Sequence, residues 1–255
     1  MRAFVRHVVP PAAIAVLAFL AWPAIREAVR HHPYFAVGEI LVRNARRVPA
    51  DEVRAAAGIA PGMSIWDVDA AAATARLGEH PWIRSARIRR ELPRRVTIQV
   101  REERPVAILT VDGEKAGEYY VAAHGRVFAR VGPTDPRDFP YVSGVELRDG
   151  DPSGPRALRR ALALLRVAGR GAGSLDAVSE VHVDRTRGLV VLPVRPAVPI
   201  EIGWGHFEAR LARLPAVLKL WSGRETQIAG VSLVFNDEVI VRTRGTVPTR
   251  SVHRT

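Results

Sequence analysis

The 255 residues are enough for one large domain or two small ones beside an anchor, and 47% hydrophobic with 25% charged residues excludes wholesale disorder. The chain contains no cysteine, which excludes a disulfide framework, a thiolate zinc site, an iron–sulfur cluster and a cysteine nucleophile. The net charge of +12 invites an anionic partner. However, every basic residue except Lys115 and Lys219 is Arg, and they are spread along the chain, so the charge reads as compositional bias and no nucleic-acid partner is expected.

Residues 8–25 form an 18-residue run without a charge. As a helix it is about 27 Å long, just enough for a hydrocarbon core of about 30 Å. Pro10 and Pro11 suit a first helical turn, and Trp22 with Pro23 suits the far interface. A cleaved signal peptide would share the flanking Arg2 and Arg6. No A-x-A cleavage site follows the run, so a retained single span is the expectation, with nearly all of the chain on one side of the membrane.

Beyond the run, residues 35–42 alternate as a strand and stop at the polar turn Arg43-Asn44-Ala45-Arg46. Pro49-Ala50-Asp51-Glu52 opens a short helix closed by Gly58, and Pro61-Gly62-Met63-Ser64 is a turn. Asp67 or Asp69 caps an Ala-rich helix that reaches about Leu77 and ends at Gly78. Residues 82–91 and 95–102 are two strands about Leu92-Pro93-Arg94. In the second, Val96, Ile98 and Val100 point one way and Thr97, Gln99 and Arg101 the other. The order is β-α-α-β-β, a compact α+β module.

Short strands follow: 106–111, then a hairpin of 119–122 and 126–131 about His124-Gly125. Residues 134–155 are rich in Pro and Gly and read as loop. Residues 155–168 form an amphipathic helix with Leu158, Leu162, Leu165 and Val167 inward. Strands are expected over 178–183, 189–194 and 199–203. A helix over 207–220 carries Leu211, Leu214 and Leu218 and is kinked or split by Pro215. Strands 228–235 and 239–242 flank Asn236-Asp237, and a polar, basic tail read as disordered closes the chain.

Three stretches resemble the FtsQ/DivIB family of bacterial cell-division proteins. Phe35-Ala36-Val37-Gly38-Glu39-Ile40-Leu41-Val42 looks like its opening strand. Pro81-Trp82-Ile83-Arg84-Ser85-Ala86-Arg87-Ile88-Arg89-Arg90-Glu91-Leu92-Pro93 looks like its PW-(V/I)-x-x-A-x-V-x-R-x-x-P stretch. Glu102-Glu103-Arg104-Pro105-Val106-Ala107 looks like its E-x-x-P-V-A boundary. The resemblance implies an α+β chain with a single N-terminal transmembrane helix, a POTRA domain, and a mixed α/β domain dominated by an open β-sheet. The implied division is a cytoplasmic tail (1–7), span (8–25), linker (26–34), POTRA domain (35–104), FtsQ-type β domain (105–242) and tail (243–255). One departure stands out: relatives have close to D-L-R and an aromatic where this chain has Ser232-Leu233-Val234-Phe235.

The sequence holds no H-E-x-x-H, no G-x-S-x-G and no Walker-type loop, so no catalytic residue, metal or cofactor is expected. His31 and His32 are neighbours and do not share a face, and Asp67 and Asp69 read as helix caps rather than paired carboxylates. Open strand edges are the better candidates, because an edge offers unpaired N–H and C=O groups to an incoming peptide. On the last strands Leu233, Phe235, Val239 and Val241 would select the partner, with core packing the competing role for Leu233. By resemblance, Phe235 matches the aromatic at the surface that captures the periplasmic end of FtsB. Arg185 and Arg187 lie near where relatives use an Arg at that interface, a solvated turn being the competing role. Ile88, Arg90 and Glu102 match positions used for recruitment to the division site, FtsK being the candidate recruiter, against an ordinary exposed strand face.

The resemblance therefore implies a non-enzymatic divisome scaffold of the cell inner membrane at the septum, with its N-terminus cytoplasmic and its bulk periplasmic. It would bind FtsB and FtsL by strand addition and thereby influence septal peptidoglycan synthases, with no small-molecule substrate. The alternative is a membrane-anchored POTRA chaperone module for secretion or outer-membrane assembly.

Overall fold

The computed structural model describes residues 11–113, 116–147, 153–171, 175, 177–235 and 238–244. The chain divides into two compact units, Met1–Glu103 and Arg104–Thr255.

In the first unit, α1 (Pro11–Arg30) continues well past the apolar run, so residues 26–30, read as linker, are helical. The reason is local: Arg26-Glu27-Ala28-Val29-Arg30 contains no helix breaker, and Arg30 in the last turn suits the negative end of the helix dipole. Residues 8–10 lie outside the described residues. Among the described residues no helix is long and apolar enough to cross a membrane. Val16, Phe19, Leu20 and Trp22 of α1 are exposed. Ser64 Oγ donates to the Arg30 carbonyl at 2.6 Å, satisfying one of the end carbonyls that a helix leaves open. A 3-10 turn (Pro33–Phe35) follows, with His32 Nδ1 accepting from the Tyr34 amide. Phe35 thus belongs to this turn, and the strand read as starting there begins later.

That strand is β1 (Glu39–Arg43), followed by α2 (Ala50–Ala57), α3 (Ala70–Glu79), β2 (Ile83–Glu91) and β3 (Arg95–Glu102), the β-α-α-β-β order of the sequence reading. Asp51 and Glu52 favour the start of α2, and Gly58 at φ 66° ends it in the left-handed conformation. Asp69, not Asp67, caps α3 by accepting from the amides of Ala71 and Ala72. Gly78 does not end α3: the helix runs to Glu79 and His80 is its C-cap. The sheet order is β1-β3-β2, with β3 parallel to β1 and antiparallel to β2. Val96, Ile98 and Val100 bury against Val53, Ala57, Leu77 and Ile83 from the helices and β2. Thr97 is the exception to the alternation. It points away from the helices, yet the central strand's neighbours cover it, and its hydroxyl donates to Glu91.

The second unit is built on one nine-stranded mixed sheet of order β12-β11-β10-β9-β8-β7-β4-β5-β6. Its strands are β4 (Pro105–Val111), β5 (Gly117–Ala122), β6 (Val127–Arg130), β7 (Tyr141–Ser143), β8 (Val178–Asp184), β9 (Gly188–Pro193), β10 (Ile200–Gly203), β11 (Ile228–Ser232) and β12 (Ile240–Thr243). The helices are α4 (Ser153–Ala168), α5 (Phe207–Leu211) and α6 (Leu214–Leu220).

β7 falls within residues 134–155, read as loop. It pairs in parallel with both β4 and β8 and so joins the two halves of the sheet. Three residues between Pro140 and Gly144 are too few to show a period of two. Chain 228–235 is also strand only as far as Ser232, while Asn236 and Asp237 lie outside the described residues. α4 buries Leu158, Ala161, Leu162, Leu164 and Ala168, leaving Leu165 and Val167 only partly covered. The split before Pro215 is present, with the proline in the first turn of α6. The helices share one core with Val181, Val191, Ile200 and Val231. On the opposite face Tyr120 is fully buried against Phe128 and Phe139, and its hydroxyl donates to the Pro136 carbonyl.

Candidate functional site

The three sequence candidates of the first unit have different fates. Ile88 pairs with Ile98 across β2 and β3 and packs half-buried against the helix-facing core. Glu102, half-buried, turns its carboxylate toward the chain itself. Its Oε1 accepts from the amides of Arg46, Arg47 and Val48 at 2.9–3.0 Å, pinning the β1–α2 turn. Arg47, held there, lies 3.8 Å over the Trp82 ring, so the Trp of the Pro81-Trp82 motif is a platform for this turn. Glu102 therefore has a structural role in holding this turn. Only Arg90 is exposed, on a β2 edge that also carries exposed Arg84, Arg87 and Arg89.

Glu102→Ala is expected to lower the stability of the first unit by about 1–2 kcal/mol, since three charge-assisted bonds are lost but the exposed Arg46 and Arg47 amides recover water, while that of buried Val48 recovers less. Chemical denaturation of the full chain checks this, and Glu102→Gln, which retains an acceptor oxygen, should cost less.

In the second unit, β12 is the end strand of the sheet and pairs only with β11 among the described residues. Phe235, 49% exposed, stands just before it, and Ile240, 41% exposed, lies on it. Leu233 is 0% exposed, its amide donates to the Glu201 carbonyl, and its carbonyl accepts from Arg213, the core packing that competes with a docking role. Val239 and Val241 both pack half-buried against the core and are less open than Phe235 and Ile240. Register explains the exchange. Val241 opposes buried Val231 on the helix-covered face, whereas Ile240 opposes Ser232 and points the other way. Val239, read as the strand's first residue, precedes β12.

The open face behind this edge holds a buried carboxylate. Glu201 of β10 is 7% exposed. It accepts from Arg242 of β12 at 2.6 Å and from Arg187, in the β8–β9 turn, at 3.4 Å. Arg242 reaches across β11 at Gly230, where an added Cβ would lie 3.2 Å from the guanidinium. Burial pushes the Glu201 carboxyl up, while hydrogen bonds from Arg242 and Ser232 and the Arg242 charge together pull it below the ordinary value. Arg187 also holds Asp184: its amide, its guanidinium and the Thr186 amide lower that carboxyl to about 2.

Both carboxylates are depressed in the folded state, so the stability they supply is complete above their ordinary values of 3.8 and 4.5 and is lost as pH falls through the depressed ones. Denaturant midpoints should hold from pH 7 to 5 and fall below about pH 4, and Asp184→Asn should remove part of that fall.

Arg185 is exposed and ion-pairs with Glu146. The turn that bears it lies three to four strands from β12, roughly 15–19 Å at the usual spacing. It is therefore not brought to the edge, and Arg187, through Glu201, is the turn residue connected to it. Ser143, Glu180 and His182 meet on the open face, but Ser143 Oγ sits between the carboxylate and His182 Nδ1. In a nucleophilic triad the imidazole would be the middle member. Among the described residues no group of three or more His, Asp or Glu could hold a metal ion.

Comparison with known proteins gives matches along most of the chain. Residues 35–103 match the family model of the POTRA domain, FtsQ-type, and residues 110–235 that of the cell division protein FtsQ/DivIB, C-terminal. The cell division protein FtsQ of Syntrophotalea carbinolica is 36% identical over 188 residues, covering 72% of this chain and 65% of that protein. The FtsQ of Geobacter sp. strain M21 is 30% identical over 207 residues, covering 80% and 74%. The cell division protein DivIB of Geobacillus kaustophilus is 27% identical over 191 residues, covering 72% and 68%. The chain thus spans just under two thirds of the first of these relatives.

Proposed function

Since the chain belongs to the FtsQ/DivIB family of cell-division proteins, we propose that it acts at the division septum as a membrane-anchored, non-enzymatic hub that docks the FtsB–FtsL pair by strand addition. The observation that carries this reading is β12, an end strand flanked by exposed Phe235 and carrying exposed Ile240. A partner strand would take its affinity from the main chain of β12 and its specificity from these two side chains. The match of the C-terminal domain to the FtsQ/DivIB model removes the basis of the secretion-module alternative, which drew on the POTRA unit alone.

The anchor is supported by the charge-free run and by the exposed Val16, Phe19, Leu20 and Trp22 along α1. Residues 1–7 would then be cytoplasmic and the two units periplasmic. Synthase control would follow from positioning the FtsB–FtsL pair rather than from chemistry on this chain. For recruitment, the candidate surface narrows to Arg90 on the arginine-bearing β2 edge, with an acidic segment of a protein such as FtsK as its partner. The deciding experiment is a titration of the detergent-solubilised full chain with the periplasmic C-terminal segment of FtsB. Saturable binding is expected, and its absence from a well-folded chain would refute the docking.

A further inference from the structure

We propose that Trp22, Arg26 and Arg30 of α1, together with Trp66, form a site for the phosphate headgroup of an anionic phospholipid, an inference that rests on the anchor reading above. Trp22, Arg26 and Arg30 recur at intervals of four and so share one stripe of the helix. With Val29 of α1 and Trp66 of the α2–α3 connection they line an open-sided recess of about 520 Å³.

The charge of this recess is unbalanced. Asp67 Oδ1 accepts from Arg30 at 2.6 Å, which leaves one carboxylate for two guanidiniums. The Arg26 guanidinium has no hydrogen-bond or ion-pair partner among the described residues, and the buried Arg30 Nε has no acceptor. The net charge of these three groups is +1, which a phosphodiester at −1 balances. A helix C-terminus by itself repels an anion. Here the Ser64 hydroxyl donates to the Arg30 carbonyl and offsets part of that end.

The walls favour a lipid over free phosphate. Trp22 and Trp66 are 64% and 38% exposed, and indoles with one wet edge belong at headgroup depth. Exposed Phe19, one turn before Trp22 and about 60° around the helix from it, extends the apolar wall toward where an acyl chain would lie. Trp66 is held from behind by Phe35, their ring centroids 5.5 Å apart. A bound headgroup would therefore touch both the helix and the domain, seating the POTRA unit on the bilayer surface.

The test uses the full chain with dioleoyl-phosphatidylglycerol, dioleoyl-phosphatidylcholine and inorganic phosphate as probes. Flotation with phosphatidylcholine vesicles reads the anchor alone. Native mass spectrometry of the detergent-solubilised chain, mixed with equal amounts of the two lipids, reads the site. One phosphatidylglycerol should be retained in preference, about five-fold less in Arg26→Gln and partly restored in Arg26→Lys, at about 1 kcal/mol per basic residue near an anionic headgroup. Excess inorganic phosphate should leave it bound. Flotation with equal retention of both lipids, or no effect of Arg26→Gln, overturns the site and leaves the anchor standing. Displacement by inorganic phosphate overturns the lipid assignment. Failure of the chain to float overturns anchor and site together.

Discussion

Phe235→Glu is expected to weaken binding of the FtsB segment at least thirty-fold while the second unit stays folded, and Ile240→Glu to act in the same direction. A buried aromatic anchor at a protein interface carries about 2 kcal/mol or more, which is roughly thirty-fold in affinity, and a carboxylate in its place must also be desolvated. Both side chains project from the body of the domain, so neither substitution opens a cavity. Leu233→Ala provides the contrast. It empties a fully buried position in the shared core, so it should destabilise the domain by about 2–5 kcal/mol and reach binding only through unfolding. Isothermal titration with parallel circular dichroism distinguishes the two. Unchanged affinity in both Phe235→Glu and Ile240→Glu would remove the edge from the docking surface.

Glu201→Ala is expected to cost about 1–3 kcal/mol and to loosen β12 more than β8 or β9. Removing one partner of a buried ion pair strands the other, but Arg242 and Arg187 are about half exposed and recover water, which keeps the cost below that of a fully buried pair. The carboxylate joins β10 to the end strand across β11, so hydrogen exchange should rise first at residues 240–243. If β12 forms the docking edge, FtsB affinity should fall with it. Glu201→Gln, which keeps an acceptor oxygen, should restore part of both. Uniform destabilisation of all nine strands would show that Glu201 serves the core and not the edge.

Much of this protein is legible from its residues alone. The alternation of Val96, Ile98 and Val100, an aspartate cap at 67 or 69, the helix-ending Gly58 and the proline beside the α5–α6 break each act within a few residues of where they stand. Such signals depend on local backbone geometry, and the family motifs are built from them. β7 was not legible in that way, because three residues become a strand only when β4 and β8 supply hydrogen bonds on both sides. Nor were the roles of individual side chains.

Glu102 and Glu201 look alike in sequence, each a carboxylate near a strand end. One accepts three amides from a turn more than fifty residues earlier, and the other meets an arginine forty-one residues later. Likewise, which of Val239, Ile240 and Val241 faces a partner was decided by the pairing of β12 with β11, since a shift of one residue exchanges the two faces of a strand. The sequence by itself determined the family, the order of elements apart from β7, and the absence of cysteine chemistry. Tertiary structure alone decided which polar groups are already used within the fold and which edges remain open, because those depend on neighbours distant in the chain.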